Sequence, residues 1–264
     1  MPNELKIHNR LFFIFDSEKD LVNNLTQKVF SLIESSITEH GICSIALSGG
    51  STPKQLYANM VNDLKAKEIP WKNVFFFLGD ERCVDESSSE LNANMINSTL
   101  LSNDLIPKEN FITTHFQSTD PMKAALLYED QLKTYFGLAS HELPKFDILF
   151  LGLGPDGHTA SLFPGTSALK ETRRLFTANY VETFNSYRLT LTYPVINNAK
   201  EQIFIVTGSS KAKILSQIVF NEGSVDYPAS RVNNSYRKPV LWFTDTLATA
   251  DFKNYEIKGG NVNV

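Results

Sequence analysis

The feature that most limits what this chain can fold into is a series of short apolar runs, rich in Val, Ile, Leu and Phe, with helix-like segments between them. Runs that are apolar at nearly every position are typical of strands buried on both faces, as in a parallel sheet. We therefore predict an α/β fold with a doubly wound, mostly parallel sheet and helices on both faces, a Rossmann-like arrangement. The predicted strands are residues 11–15, 42–47, 73–78, 147–151, 188–192, 202–206 and 239–243.

The intervening segments carry helix signals. Apolar residues recur at helical spacing within residues 21–33, and Asp120 followed by Pro121 is typical of an N-cap and a first helical residue. Residues 84–92, VDESSSELN, are polar and predict an exposed loop, which a helix near residues 94–101 should follow.

The composition is that of an ordinary globular protein, with 264 residues, 42% of them hydrophobic and 20% charged. The formal net charge of -4 and the lack of a Lys/Arg run argue against nucleic acid or an anionic membrane as a partner. Because no internal repeat and no Gly-, Ser- or Pro-rich linker divides the chain, we expect residues 1–264 to form a single domain.

Membrane and disulfide signals are weak. No apolar run approaches the ~20 residues of a membrane-spanning helix. The five-residue run at 11–15 is too short for the core of a signal peptide. Cys43 and Cys83 are too few for a disulfide framework and are not spaced as a metal site. We expect a cytoplasmic protein.

A first glycine-rich turn, Ser48-Gly49-Gly50-Ser51, links a predicted strand to a helix, for which Thr52 followed by proline predicts the N-cap. Glycines let the backbone approach a ligand closely, and the free N–H groups of a helix start bind phosphate. The alternative is an ordinary tight turn with a capping threonine. A Walker A loop is disfavoured, because no Lys-Ser or Lys-Thr pair stands in the required frame.

The second glycine-rich turn lies in DILFLGLGPDGHTASLFPG, residues 147–165, which contains a literal G-x-G-x-x-G. A dinucleotide fingerprint requires the third glycine to enter a helix and an acidic residue about twenty positions later. Here any helix after Gly157 would be ended by Pro164 within about one and a half turns, and no suitable acid follows. The motif therefore argues against a dinucleotide site.

His158 follows this turn at the carboxyl end of a predicted strand, where doubly wound folds place their ligands. Histidine accepts a proton near neutral pH without a large pKa shift, so His158 is the candidate general base. Asp156, two residues earlier, is a candidate to orient the base or the substrate. The alternatives are a loop histidine bonded to backbone and a plain Pro-Asp-Gly turn. The remaining histidines, which we expect at surface or structural positions, are His8, His40, His115 and His141.

A charged cluster, Asp80-Glu81-Arg82, follows another predicted strand. Charged residues at a strand end commonly form a solvated rim. If this strand ends at the same edge as the two turns, Arg82 is instead placed to bind a phosphate or a developing oxyanion.

Taken together, the motifs resemble those of the 6-phosphogluconolactonase family, and they occur in that family's order. The resemblance spans about residues 46–243 and is carried by LSGGSTPKQLY, FLGDERCV, FDILFLGLGPDGHTASLFPG, RLTLTYPVINNA, VTGSSKAKIL and PASRV.

The resemblance implies a deaminase/isomerase-type α/β fold. It also implies hydrolysis of 6-phosphoglucono-δ-lactone to 6-phosphogluconate, the second step of the oxidative pentose phosphate pathway, without metal or organic cofactor. In that reading the catalytic residues are His158, Asp156 and Arg82, with His158 activating water. The candidate substrate-binding residues are Ser48, Gly49, Gly50, Ser51, Thr52, Asp80, Arg188, Lys211 and Arg231.

The chain departs from the family pattern after Arg82, where Cys83 and Asp85 stand in place of an aromatic residue and a proline, and at Leu91-Asn92, where the family has Ser-Asn. Two other functions stay open. A glucosamine-6-phosphate deaminase would carry an acid in the string after the histidine, which here reads TASLFPG. A sugar-phosphate-binding protein without activity would need no base. The expected partner is a small sugar phosphate lactone, and the sequence does not decide between monomer and homodimer.

Overall fold

The computed structural model describes residues 2–114, 120–220 and 225–253. An eight-stranded sheet has the order β1-β2-β11-β10-β7-β3-β4-β6, and a three-stranded sheet has the order β5-β9-β8. The strands are β1 (Asn3–Ile7), β2 (Arg10–Phe15), β3 (Cys43–Leu47), β4 (Val74–Leu78), β5 (Asp80–Arg82), β6 (Phe111–Ile112), β7 (Ile148–Leu151), β8 (Phe176–Val181), β9 (Ser186–Leu191), β10 (Glu201–Val206) and β11 (Val240–Asp245). The α-helices are α1 (Glu18–His40), α2 (Ser51–Asn62), α3 (Asn92–Thr99), α4 (Pro121–Phe136), α5 (Tyr193–Asn197) and α6 (Ala212–Phe220).

The large sheet confirms the α/β prediction. All of its neighbouring strands pair in parallel except β1, which pairs antiparallel with β2. Every residue of β3, β7 and β11 is buried, which is why their sequences are apolar almost throughout. Six of the seven predicted strands lie in this sheet.

The seventh predicted strand was assigned to the wrong sheet. Residues 188–192 overlap β9, which pairs antiparallel with β5 and β8 in the small sheet. The carboxyl half of β9 is buried, whereas its first three residues are partly or fully exposed. The sequence run therefore looked like a core strand although it covers only the buried half of an antiparallel one.

The direction of winding explains where the site forms. From β3 the chain proceeds to β4 and β6, toward one edge of the sheet, whereas from β7 it proceeds to β10 and β11, toward the other. With right-handed crossovers, this reversal puts α1 and α2 on one face of the sheet and α4 and α6 on the other. Adjacent β3 and β7 therefore flank a crevice at their carboxyl ends, which is the usual ligand position in such folds.

Two predicted helix starts had different outcomes. The Asp120 side chain accepts hydrogen bonds from the N–H groups of Met122 and Lys123, so the predicted N-cap of α4 is confirmed. The predicted N-cap at Thr52 was wrong. Helix α2 begins at Ser51, and Gly50 is its N-cap without a side-chain bond.

The structure also tests the helix predicted near residues 94–101 and the segment after Gly157. The helix expected near 94–101 is α3, two residues earlier, and the segment after Gly157 holds an isolated bridge between Thr159 and Leu162 rather than a helix. His115 lies outside the described residues. Within the described ranges, no helix is both long and apolar enough to cross a membrane.

Candidate active site

A cavity of about 330 Å³ opens at the carboxyl ends of β3 and β7. Side chains and backbone from both glycine-rich turns and from the small sheet line it. The predicted site residues among them are Ser48, Gly49, Gly50, Ser51, Thr52, Asp80, Arg82, His158, Arg188 and Lys211. The structure thus brings together most of the residues that the sequence had placed at separate strand ends.

The first glycine-rich turn is held rigidly. The Ser48 N–H donates to the Tyr57 hydroxyl at 2.9 Å, and that hydroxyl donates back to the Ser48 carbonyl at the same distance. Gly50 has a φ of +114°, which strongly favours glycine. A Cβ at Gly49 would lie 2.0 Å from Oδ1 of Asn92, so this position has no room for a side chain. The turn therefore presents main-chain N–H groups at the start of α2, as an anion site requires.

Thr52 is taken up by tertiary contacts instead of a cap. Its hydroxyl lies 2.6 Å from Oε1 of Glu18 and 2.7 Å from the hydroxyl of Thr207, which lines the cavity beyond β10. The threonine side chain consequently ties the first turn to the start of α1 and to the segment after β10, which explains why the capping prediction failed. Among the residues that the structure describes, the buried hydroxyl oxygen of Ser48 finds no hydrogen-bond partner.

His158 has one occupied and one available ring nitrogen. Its Nδ1 lies 2.5 Å from Oδ1 of Asp156. A carboxylate only accepts hydrogen bonds, so Nδ1 carries a proton, and in the neutral imidazole the lone pair is then on Nε2. The imidazole also stacks on Phe163, with ring centroids 4.1 Å apart and planes at 33°. This arrangement gives the cavity a nitrogen that can accept a proton.

Asp156 does not line the cavity, but its carboxylate contacts His158, which does. The histidines assigned to other roles fit those roles where the structure describes them. His40 bonds to Asp147 at 2.9 Å, and His8 and His141 are exposed. The separation of His158 from the other described histidines is therefore as predicted.

The small sheet contributes two guanidinium groups, because Arg82 and Arg188 are cross-strand partners on β5 and β9. Arg82 donates to the carbonyl of Glu90, and Arg188 lies over the Phe184 ring at 5.2 Å. Burial, followed by the positive charge of Arg82, lowers the pKa of Arg188. Burial also lowers the pKa of Lys211, while Asp156 opposes that shift. Three cationic groups thus face one polar cavity.

Asp80 anchors the small sheet to the second glycine-rich segment. Its Oδ2 accepts from the Ser161 hydroxyl at 2.7 Å, and its carbonyl accepts from the Asn92 amide at 2.9 Å. The neighbouring Glu81 turns away and caps α3, accepting from the N–H groups of Asn92 and Ala93 at 2.8 Å. Burial raises the pKa of Glu81 to about 7. The charged cluster is therefore split between the cavity and a helix cap, not a solvated rim.

Arg231 was predicted to lie near the substrate, and the structure does not bring it there. It is absent from the cavity lining, and its Nε donates to Asp226 at 2.6 Å, five residues earlier. The polar loop at 84–92 is largely exposed, as predicted, apart from its last two residues. Leu91 is the N-cap of α3 and Asn92 is its first residue, and both are buried, so this Leu-Asn departure from the family pattern is not exposed.

The sequence analysis assigned no site role to four contributing residues. Asn92, Phe163, Ser161 and Thr207 each contact a predicted site residue, yet none has a distinctive local pattern. The quoted strings TASLFPG and VTGSSKAKIL contained three of them, and Asn92 was noted only as a departure from the family pattern. Within the described ranges, no group of three or more His, Cys, Asp or Glu residues is placed to hold a metal ion.

The fold and the cavity define a class: a doubly wound α/β protein with a phosphate-type turn, several cations and one free imidazole nitrogen at the switch point. A family model described as glucosamine-6-phosphate isomerases/6-phosphogluconolactonase matches residues 16–242. The chain belongs to this family.

Individual relatives agree with that assignment. A 6-phosphogluconolactonase of Nostoc sp. is 35% identical over 240 residues, covering 90% of this chain and 96% of the relative. One from Synechocystis sp. is 38% identical over 221 residues, covering 83% and 89%. The solved structure of 6-phosphogluconolactonase from Trypanosoma brucei is similar with a TM-score of 0.80 and 29% identity, over 93% of this chain and 99% of that one.

Proposed function

We propose that this protein hydrolyses 6-phosphoglucono-δ-lactone to 6-phosphogluconate, as in the oxidative pentose phosphate pathway, with His158 as the general base. The relatives named 6-phosphogluconolactonase support the substrate class. The observation that carries the assignment of the base is that Nε2 of His158 has no hydrogen-bond partner among the described residues, while His158 shares one cavity with the glycine-rich turn.

The reaction needs little equipment, because a lactone is an activated ester. Nε2 of His158 takes a proton from water as the water oxygen bonds to the lactone carbonyl carbon. The carbonyl oxygen becomes an oxyanion, to which the guanidinium of Arg82 is suited as a donor. Collapse of this intermediate breaks the bond to the ring oxygen, which leaves as a hydroxyl after receiving the proton from His158. The product is the open-chain acid.

The other end of the substrate is a phosphate. The N–H groups at the start of α2 supply uncharged donors, and Arg188 and Lys211 supply positive charge in the same cavity. Phosphate binding holds the lactone carbonyl carbon beside the base. This orientation lowers the activation barrier for attack by water. No nucleophilic serine is required, and the chain has no G-x-S-x-G motif.

The test compares wild type with His158→Ala, following acid release from freshly made lactone above its spontaneous hydrolysis. Removal of the base should lower kcat by about 10²–10⁴-fold, the usual contribution of a general base. His141→Asn is the matched control, because His141 is an exposed histidine that is not part of the cavity lining, and it should leave kcat unchanged.

Three results would contradict the proposal. Equal rates for wild type and His158→Ala would remove the imidazole from the mechanism. Ammonia release from glucosamine 6-phosphate by the wild type, without lactone hydrolysis, would assign the deaminase activity instead. Binding of 6-phosphogluconate without any turnover of the lactone would leave only a sugar-phosphate-binding protein.

A further inference from the structure

The second glycine of GLGPDGH, Gly154, lies directly against the imidazole of His158. A Cβ built on Gly154 would lie 2.0 Å from Nδ1, 2.1 Å from Cε1 and 2.6 Å from Cγ of His158. Three such short distances place that point over the face of the ring rather than beside its edge. The imidazole therefore occupies the space that a side chain at residue 154 would need.

Phe163 packs against the same ring, with its centroid 4.1 Å from the imidazole centroid and the two planes at 33°. Because a Cβ on Gly154 would lie within 2.6 Å of three ring atoms on one face, the opposite face is the one with room for the phenyl ring. Asp156 closes the Nδ1 edge at 2.5 Å. Backbone, phenyl ring and carboxylate thus contact the imidazole from three directions, and Nε2 is the nitrogen left for a ligand.

We propose that Gly154 and Phe163 are positioning residues: they form a slot one ring thick that fixes the imidazole of His158 with Nε2 toward the substrate. The kinetic consequence rests on the proposed lactonase function, whereas the slot itself does not. The glycine thereby has a role other than the close approach to a pyrophosphate that the G-x-G-x-x-G pattern suggests.

Gly154 offers an unusually clean test, because its backbone does not require glycine. Its φ lies outside the left-handed region, unlike that of Gly157 at +81°. The turn is closed by backbone bonds, from the Gly154 N–H to the His158 carbonyl at 2.8 Å and from the Gly157 N–H to the Gly154 carbonyl at 3.1 Å. Alanine can form both bonds. The cost of Gly154→Ala should therefore come from the imidazole alone.

The experiment is a double-mutant cycle of Gly154→Ala and His158→Ala, with kcat and Tm measured for all four proteins. In the wild-type background, Gly154→Ala should lower kcat by about 10²-fold or more, within the range of base removal, and lower Tm. In the His158→Ala background the methyl group fills vacated space, so kcat should change less than about threefold and Tm should not fall. A second variant, Phe163→Leu, should lower kcat more than it raises KM.

Two-bond ¹H–¹⁵N spectra of the histidine rings supply a readout independent of turnover. Wild type should have Nδ1 protonated and Nε2 unprotonated in neutral His158, Gly154→Ala should lose this signature, and Gly152→Ala should keep it, since a Cβ there meets nothing within 4 Å. The proposed slot would be contradicted if Gly154→Ala kept the wild-type kcat, or if Gly154→Ala lowered Tm equally in the wild-type and His158→Ala backgrounds. A wild type that keeps the imidazole signature but hydrolyses no lactone would overturn only the proposed function.

Discussion

Arg82 and Arg188 face each other across two strands of the small sheet, although like charges in that position repel. Neither has a carboxylate partner among its hydrogen bonds in the described residues; Arg82 bonds to a carbonyl, and Arg188 to a hydroxyl and a carbonyl. Such a pair is stabilised when an anion binds between or beside the guanidinium groups. We infer that the pair is maintained for the substrate rather than for the stability of the free protein.

This inference predicts the behaviour of Arg188→Met. Without ligand, its Tm should equal or exceed that of wild type, because a repulsive neighbour is removed. With 6-phosphogluconate at about 100 times the wild-type Kd, wild type should gain about 2.7 kcal/mol, and the variant should gain much less. KM for the lactone should rise about tenfold or more. A variant that is destabilised without ligand and stabilised normally with it would contradict the inference.

At the residue scale, sequence motifs predicted which residues line the cavity where a glycine-rich turn or His158 directly follows a strand. They could not separate Arg188, which faces the cavity, from Arg231, which pairs with Asp226. Each is a single basic residue without a distinctive neighbouring sequence. Only the three-dimensional path of the backbone determines whether the side chain faces the cavity or pairs with a carboxylate. Contacts such as Phe163 on His158 depend on packing and leave no signal of their own in the sequence.

At the scale of elements, helix α3 begins on a buried carboxylate. Oε1 of Glu81 accepts from the N–H groups of Arg82 and Asn92, and Oε2 accepts from Ala93. Burial raises the pKa of this group to about 7 in spite of these bonds, and the nearby Asp80 adds to the rise. The Glu81 carboxyl, which bonds to the backbone of Arg82 and to the start of α3, therefore changes charge near neutral pH.

The raised pKa has a defined effect on stability. Between the ordinary glutamate value near 4.5 and the folded value of about 7, the folded chain holds a proton that the unfolded chain has released. The contribution of protonated Glu81 to the free energy of unfolding is therefore fully present below pH 4.5 and is lost as the pH rises to about 7. The loss is about 3 kcal/mol from the size of the shift. The free energy of unfolding, measured with urea at several pH values across this window, should fall with rising pH more steeply in wild type than in Glu81→Gln. An equal dependence on pH in the two proteins would contradict the assignment.

The elements also differ in how predictable they were. Strands buried on both faces are apolar throughout, and the Asp-Pro start of α4 is a local signal, so both were predicted from neighbouring residues. β1, β5, β6 and β8 were missed. β5 has three residues, all charged, and β6 has only two, while β1 and β8 carry polar residues among their apolar ones. The cap of α2 was misassigned because Glu18 and Thr207, distant in sequence, bind the Thr52 hydroxyl.

At the scale of the whole molecule, the order of the strands is what assembles the site. β3 and β7 are separated by a hundred residues in sequence but are neighbours in the sheet, and the chain leaves them in opposite directions. The turn that follows β3 and the histidine segment that follows β7 consequently share one crevice. The small sheet then adds Asp80, Arg82 and Arg188 from the side.

The most direct test of the account is a crystal structure of the protein with 6-phosphogluconate bound, since the product carries both ends of the substrate. We predict the C1 carboxylate within about 3–4 Å of Nε2 of His158, within reach of a hydrogen bond or one water. The phosphate should lie at the start of α2 with Arg188 or Lys211. A product bound with its phosphate beside His158, or outside the crevice between β3 and β7, would contradict the proposed arrangement.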